Sequence, residues 1–398
     1  MGQVSNRFGS RTKSDMRVLY VSSVNFKGSG GHYHSLNHIS QAMAEHIEVG
    51  ICTIGENESF ILSQNPFFVQ HFKLKNFQFL TFNKKFRLLL NDFKPDIIHF
   101  FDLKSYLIVD LLVYPNVKKV LNKCGGSNPK GYPRITNLIL FSEENYNWFK
   151  SQSKFRNSNI KVIPNRVNPK VLNYNFISDV KKENSFCFVR IARISKDYVK
   201  SIEDSIRLIS ELTDLNFNVH LYLIGAVHDK NIYETLNIKI KSKPITLLTD
   251  DKFTRKASDM LYLADAVIAT GRGVMEATSL GLPILTPAHN SNFPILIDRD
   301  NFNTFFKTNF SQRNEASQND LNENLLKIKE MIANPSYRKE LSLNSNNFFA
   351  DYFSTEKGVL KYIDYYNSLD VGGNKQRYLS DFDDKIKVFI KMLLRSRH

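Results

Sequence analysis

The chain has 398 residues, about two domains' worth, and its 42% apolar and 12% aromatic content can build sizeable cores and excludes a disordered polymer. A formal charge of +15 favours anionic ligands or surfaces, yet no zinc-finger, RRM or helix-turn-helix pattern accompanies it, so nucleic acid is not an expected partner. No apolar run approaches the roughly 18 residues that span a bilayer, and three distant cysteines, Cys52, Cys124 and Cys187, fit unpaired thiols in a reducing cytosol.

The first fifteen residues are polar, lack an apolar signal core and read as a disordered leader. From Arg17 onward two series of short apolar strands alternate with amphipathic helices. The first runs through Arg17–Ser23, Val49–Ile54, Asp96–Phe101, Val117–Asn122, Leu138–Ser142 and Lys161–Pro164; the second through Phe186–Ile191, Val219–Ile224, Ile245–Leu248, Asp265–Ala269 and Pro283–Thr286. Strands this apolar are buried on both faces, as in parallel sheets covered by helices. Two doubly wound α/β domains follow, with a boundary in the polar stretch between Asn165 and Ser185.

Glycines punctuate the strand ends. After the first strand, Gly28, Gly30 and Gly31 precede a helix with Leu36, Ile39 and Met43 at packing intervals. This is not the GxGxxG of dinucleotide folds, but it lies where open α/β sheets hold ligands. His34 and His38 stand i, i+4 beside His32, without a third ligand at matching spacing, so no metal is expected. At the start of the second series Arg193, Lys196 and Lys200 follow a strand. Cations there can hold a diphosphate and stabilise it as it leaves, or can form a solvated basic loop.

The densest signal is ATGRGVMEATSLGLPILTP, Ala269 to Pro287. An apolar strand breaks at Gly271 and Gly273 and resumes as a short helix with one acid, Glu276. Backbone N–H groups at such a turn can meet phosphate, while a carboxylate there should face donors such as ribose hydroxyls. The alternative is a turn shaped by glycine, in which Glu276 complements the helix dipole.

Near the C-terminus, Thr355–Leu369 reads as a helix returning to the first domain, and Asp370–Tyr378, with Gly372 and Gly373, as a linker. Asp381–His398 projects as an amphipathic helix with Phe382, Ile386, Phe389, Ile390 and Leu393 on one face and Lys387, Lys391 and Arg395 opposite. Two placements remain open: on an anionic membrane surface, or docked on the protein's own core.

The order of these elements resembles that of GT-B glycosyltransferases, particularly family 4 of the retaining sugar-nucleotide-dependent enzymes. The likeness rests on Gly30–Gly31, PDIIHFFD (Pro95–Asp102), LFSEENYNWF (Leu140–Phe149), VIPNRVN (Val162–Asn168), the Arg193–Lys200 loop and GRGVMEATSLGLPIL (Gly271–Leu285), and spans Arg17 to about Leu369. It implies two Rossmann-like domains facing across a cleft, with the second holding the nucleotide. Arg193 and Lys200 or Lys196 would then meet the diphosphate, Glu276 the ribose, and His99 would be a histidine at a strand end facing the cleft. Two positions depart from the pattern. Ile268 stands where the family commonly has a second acid, and Arg166 where it has glycine; Arg272 would add a cation near the diphosphate or the acceptor.

The expected activity is therefore transfer of a sugar from a nucleotide diphosphate sugar to an acceptor hydroxyl with retained configuration. Catalysis would rest on Arg193, Lys200 and His99, and donor binding on Gly30, Gly31, Lys196, Gly271, Arg272, Gly273 and Glu276, with no cofactor and no metal. A saccharide or lipid-linked acceptor in surface polysaccharide or glycolipid biosynthesis is expected, at the inner face of the cell membrane. The alternatives are a sugar-nucleotide epimerase of the same fold and a module binding anionic polymer.

Overall fold

A computed structural model of the chain describes residues 15–24, 30–74, 79–172, 182, 184–369 and 375–395. The polar leader up to residue 14, Gly28, part of the expected interdomain segment, Gly372 and Gly373, and the last three residues lie outside them. The chain forms two compact units. One comprises Met1–Phe141, Asn145–Ile163 and Gly358–His398, the other Ser142–Glu144 and Pro164–Lys357.

The first unit holds a seven-stranded sheet of β1 (Arg17–Val24), β2 (Glu48–Gly55), β3 (Phe68–Lys73), β4 (Ile97–Phe100), β5 (Lys118–Lys123), β6 (Asn137–Leu140) and β7 (Asn159–Val162). Every pairing is parallel, in the order β3-β2-β1-β4-β5-β6-β7. Along β1, Val18 and Tyr20 enter one apolar layer and Leu19 and Val21 the other, which is why the strand reads as continuously apolar. β3 escapes the sequence pattern because it is an edge strand with only Phe72 buried.

The second unit builds a six-stranded sheet from β8 (Phe186–Ile191), β9 (Val219–Ile224), β10 (Ile245–Leu248), β11 (Ala266–Ile268), β12 (Ile284–Thr286) and β13 (Ile295–Leu296). Its order is β10-β9-β8-β11-β12-β13, parallel except for the last pair. The two-residue β13 is too short to carry a periodicity, so the sequence pattern does not show it. In both sheets the order reverses beside the first strand, between β1 and β4 and between β8 and β11. Such a switch point opens a crevice at the strand carboxyl ends.

The helix Thr355–Asn367 places Val359, Tyr362, Tyr365 and Tyr366 in the first unit's core. The last helix, Lys375–Arg395, docks on that unit as well, through Val388, Phe389 and Met392. Lys385 is buried with them, its Nζ 2.8 Å from Asp110 Oδ2, while Lys119 Nζ meets Asp110 Oδ1 at 2.6 Å. Of the expected apolar face, Phe389 packs on the unit's core, joined there by the partly buried Val388 and Met392, whereas Ile390 is 51% exposed. A helical projection counts lysine as outward, whereas the buried carboxylate of Asp110 and the Tyr106 ring receive Lys385 inside. No helix among the described residues is long and apolar enough to cross a membrane.

Candidate functional site

At the second unit's switch point, the loop after β8 is held by the end of β9 and the segment that follows it. Ala192 N–H donates to Ile224 O at 2.9 Å, Ile194 N–H to Ala226 O at 3.0 Å, and His228 N–H returns to Ile194 O at 3.0 Å. Gly225 allows this approach, because a Cβ there would stand 1.7 Å from the Ala192 carbonyl oxygen. The sequence signal for it, a glycine ending an apolar strand, was present and went unread. The loop leaves Arg193, Lys196 and Lys200 exposed at the strand end. Arg193 lies over the Tyr198 ring, its guanidinium carbon 5.4 Å from the centroid, with Nη2 3.3 Å from Tyr198 Oη.

Lys200 is the most engaged of the three cations. Its Nζ is 2.6 Å from Asp204 Oδ2 and 2.9 Å from Ser291 O. Burial, only partly offset by Lys200 and Arg207, holds the Asp204 carboxyl above its ordinary value. Beneath the loop Arg190, which sequence reading absorbed into an apolar strand, is fully buried. It ties β8 to β11 through Nη1 to Ile268 O at 3.2 Å, and to the following helix through Nη2 to Ser201 Oγ at 2.9 Å. Burial lowers its pKa to about 10.

The neighbouring strand, β11, ends in the glycine turn. Gly271 has φ +49°, a conformation that disfavours any side chain. A Cβ on Gly273 would press the Ala269 side chain at 3.2 Å. Gly273 N–H donates to Thr270 O at 3.1 Å and Val274 N–H to Gly271 O at 3.1 Å. The tight turn thus engages the Gly273 and Val274 amides within itself. Glu276, on the helix Arg272–Thr278, is bound by Arg272 Nε at 2.8 Å, with both side chains mostly buried. The carboxylate keeps one face for another partner but is pre-oriented by its own helix neighbour.

In the first unit the strand ends are arranged differently. Asp102 accepts from Ser23 N at 2.6 Å, Ser23 Oγ at 2.7 Å, Ser22 Oγ at 3.0 Å and Ser105 N at 2.7 Å, which fastens β1 to the helix Leu103–Leu112. Gly30 and Gly31 open the helix Gly31–Met43, as their spacing predicts. A Cβ on Gly31 would meet nothing within 4 Å among the described residues. The expectation of a strand-end histidine open to ligand is not met by His99. It is 0% exposed on β4, with Nδ1 2.6 Å from Tyr366 Oη and its ring among Tyr20, Phe101, Tyr362 and Tyr366. Burial pushes its pKa down to about 3. Enclosed by aromatic rings, the imidazole is neutral, and its Nε2 makes no hydrogen bond among the described residues.

The structure thus gathers Arg193, Lys196, Lys200, Gly271, Arg272, Gly273 and Glu276 at the carboxyl ends of two paired strands of one sheet. Gly30, Gly31 and His99 belong to the other unit.

No family model matches this sequence, and no curated protein matches it either. Solved structures do. A glycosyltransferase from Rickettsia africae superposes with a TM-score of 0.65 at 13% identity, covering 89% of this chain and 98% of that one. HepE of Anabaena, solved with UDP-glucose, gives 0.62 at 15% identity over 89% and 100%. The UDP-GlcNAc 2-epimerase of Neisseria meningitidis, bound to UDP-GlcNAc, gives 0.55 at 13% over 89% and 100%. The chain therefore has the GT-B fold, two parallel-sheet α/β domains, which these transferases and this epimerase share.

Proposed function

We propose that the protein is a glycosyltransferase that moves a sugar, of hexosyl type, from a nucleoside diphosphate sugar to an acceptor hydroxyl with retained configuration. The observation that carries this reading is the convergence, at one switch point, of an exposed Arg193–Lys196 loop and a glycine turn followed by the clamped carboxylate of Glu276. Glu276 would accept hydrogen bonds from the ribose. Arg193 and Lys196 would stabilise the diphosphate as the glycosidic bond breaks, which needs no metal. Lys200 already pairs with Asp204 and the Ser291 carbonyl, so Lys196 is the freer cation. The UDP-glucose held by HepE, with its fold, supports the donor class. A saccharide or lipid-linked acceptor of surface polysaccharide or glycolipid biosynthesis suits a basic protein. Lys387 and Lys391, exposed on the docked helix, support residence at an anionic membrane surface by charge alone.

The test is thermal-shift screening against nucleoside diphosphates and their sugar esters, followed by product analysis with and without saccharide acceptors. A donor that stabilises the fold by mass action, and turns over only when an acceptor is present and equally well in EDTA, is the expected result. Product formed without acceptor indicates an epimerase, and binding of anionic polymer alone a non-catalytic module.

A further inference from the structure

Arg190 carries a charge that its hydrogen bonds do not require. It is 0% exposed on β8, between β9 and β11 and opposite Ile268. Its bonds run to Ile268 O at 3.2 Å and Ser201 Oγ at 2.9 Å, and its Nε makes none among the described residues. A carbonyl and a hydroxyl oxygen need donors, not a cation, and a neutral amide can supply them. Arg190 forms no ion pair among the described residues, and Asp204, an acid whose charge reaches it, is already met by Lys200 at 2.6 Å and Arg207 at 3.6 Å. Buried charges are ordinarily paired because they lose the solvation of water. Burial nevertheless brings this guanidinium down only to about 10, so it stays charged at neutral pH.

That charge lies beneath the candidate site. Arg190 precedes Arg193 by three residues, and Ile268 precedes Gly271 by three. The Ile268 carbonyl that Arg190 binds is therefore no more than about 11 Å from Gly271. Ser201 stands in the first turn of the helix Val199–Asp214, whose positive end lies at the same strand ends. The buried guanidinium and the helix dipole thus add to one another.

We propose that Arg190 is a positioning residue, a buried cation whose field holds the donor's diphosphate at the Arg193–Lys196 loop and the Gly271 turn without touching it; this rests on the nucleotide-sugar reading above. Water and salt screen the exposed Arg193 and Lys196, whereas a charge enclosed in the sheet is screened much less. Its attraction grows with the negative charge on the ligand. It therefore favours a nucleoside diphosphate over a monophosphate, and the charge that develops on the departing diphosphate over the sugar ester.

Calorimetry on the full chain with UMP, UDP, GMP and GDP tests this through the preference for diphosphate over monophosphate. Arg190→Gln keeps a donor for Ile268 O and removes the charge. Ser201→Asp keeps Arg190 and neutralises it with a carboxylate in the helix's first turn, a placement that helices favour. At about 10 Å and an effective dielectric near 20, one unit of charge changes affinity roughly tenfold. Both variants should accordingly reduce the preference about five- to tenfold, at about 500 mM salt as at about 50 mM. An unchanged preference, monophosphate and diphosphate weakened by the same factor, or a reduction that salt erases overturns the positioning role while the nucleotide-sugar reading stands. Wild-type protein that binds none of the four probes overturns both.

Discussion

The two sheets share a topology and differ in what their switch points do with polar groups. In the first unit Asp102 takes four donors from β1 and the following helix, and His99, fully enclosed, pairs through Nδ1 with Tyr366 while its Nε2 makes no hydrogen bond among the described residues. In the second unit the strand ends keep polar groups in hand. Arg193 and Lys196 are exposed and, among the described residues, Glu276 is held by Arg272 while Arg272 Nη1 and Asn309 Oδ1 make no hydrogen bond. The difference is one of exposure, with His99 enclosed in one copy of the fold and Arg193 and Lys196 open to solvent in the other. Polar residues at strand ends are informative about function only when the fold leaves them accessible.

The contrast can be broken or sharpened by substitution, and the largest effect should come from the first unit. Asp110→Ala strands Lys119 and Lys385 in the core and should cost about 3 to 5 kcal/mol, measured by urea unfolding, with nucleotide affinity unchanged in the folded fraction. Burial alone would raise the Asp110 carboxyl, but Lys119 and Lys385 bring it below its ordinary value. Its folded pKa being depressed, this contribution is present above an unfolded value of about 3.9 and is lost as pH falls through the folded one. Acid unfolding should accordingly release the last helix, and proteolysis between pH 5 and 2 would show it.

His99→Ala should destabilise the first unit by about 2 to 3 kcal/mol through a lost buried contact, again without effect on nucleotide binding. With its pKa at about 3 in the fold and about 6.5 unfolded, the wild-type imidazole makes the unfolded chain bind more protons in acid. Stability should decline from about pH 6.5 downward, and less steeply in the variant. A His99 variant that folds normally but loses turnover alone would erase the contrast between the units.

Effects in the second unit should fall on binding. Glu276→Ala should weaken the donor by about tenfold or more, since losing hydrogen bonds to a charged group costs roughly 1.5 to 3 kcal/mol; unchanged affinity in a folded protein removes its ribose role. Arg193→Ala is the mildest for the fold. An exposed side chain should change stability by no more than about 0.5 kcal/mol, while turnover falls. Equal losses of stability and turnover would make the loop a structural element.

Much of this was legible along the chain because buried parallel strands write themselves as apolar runs. β8, β9 and β10 coincide with the runs at Phe186, Val219 and Ile245, and the turn at Gly271 follows from glycine's steric freedom. β3 and β13 were not legible, one being an edge strand with a single buried residue and the other only two residues long. Arg190, inside an apolar run, and Lys385, on a basic helix, turn inward for a related reason. Periodicity assigns charge to the surface, and it cannot foresee a carbonyl, a hydroxyl or a carboxylate waiting in the interior.

The sequence by itself determined the two α/β series, the glycine turns and which residue types could meet an anionic ligand, since these depend on local sterics and burial patterns. Tertiary structure alone decided their use. Residues far apart in the chain had to meet before His99 could be sealed by Tyr366, Lys385 drawn in by Asp110, or Asn309 set against Gly271. Whether a polar atom is spent or spare depends on such partners, which no local pattern encodes.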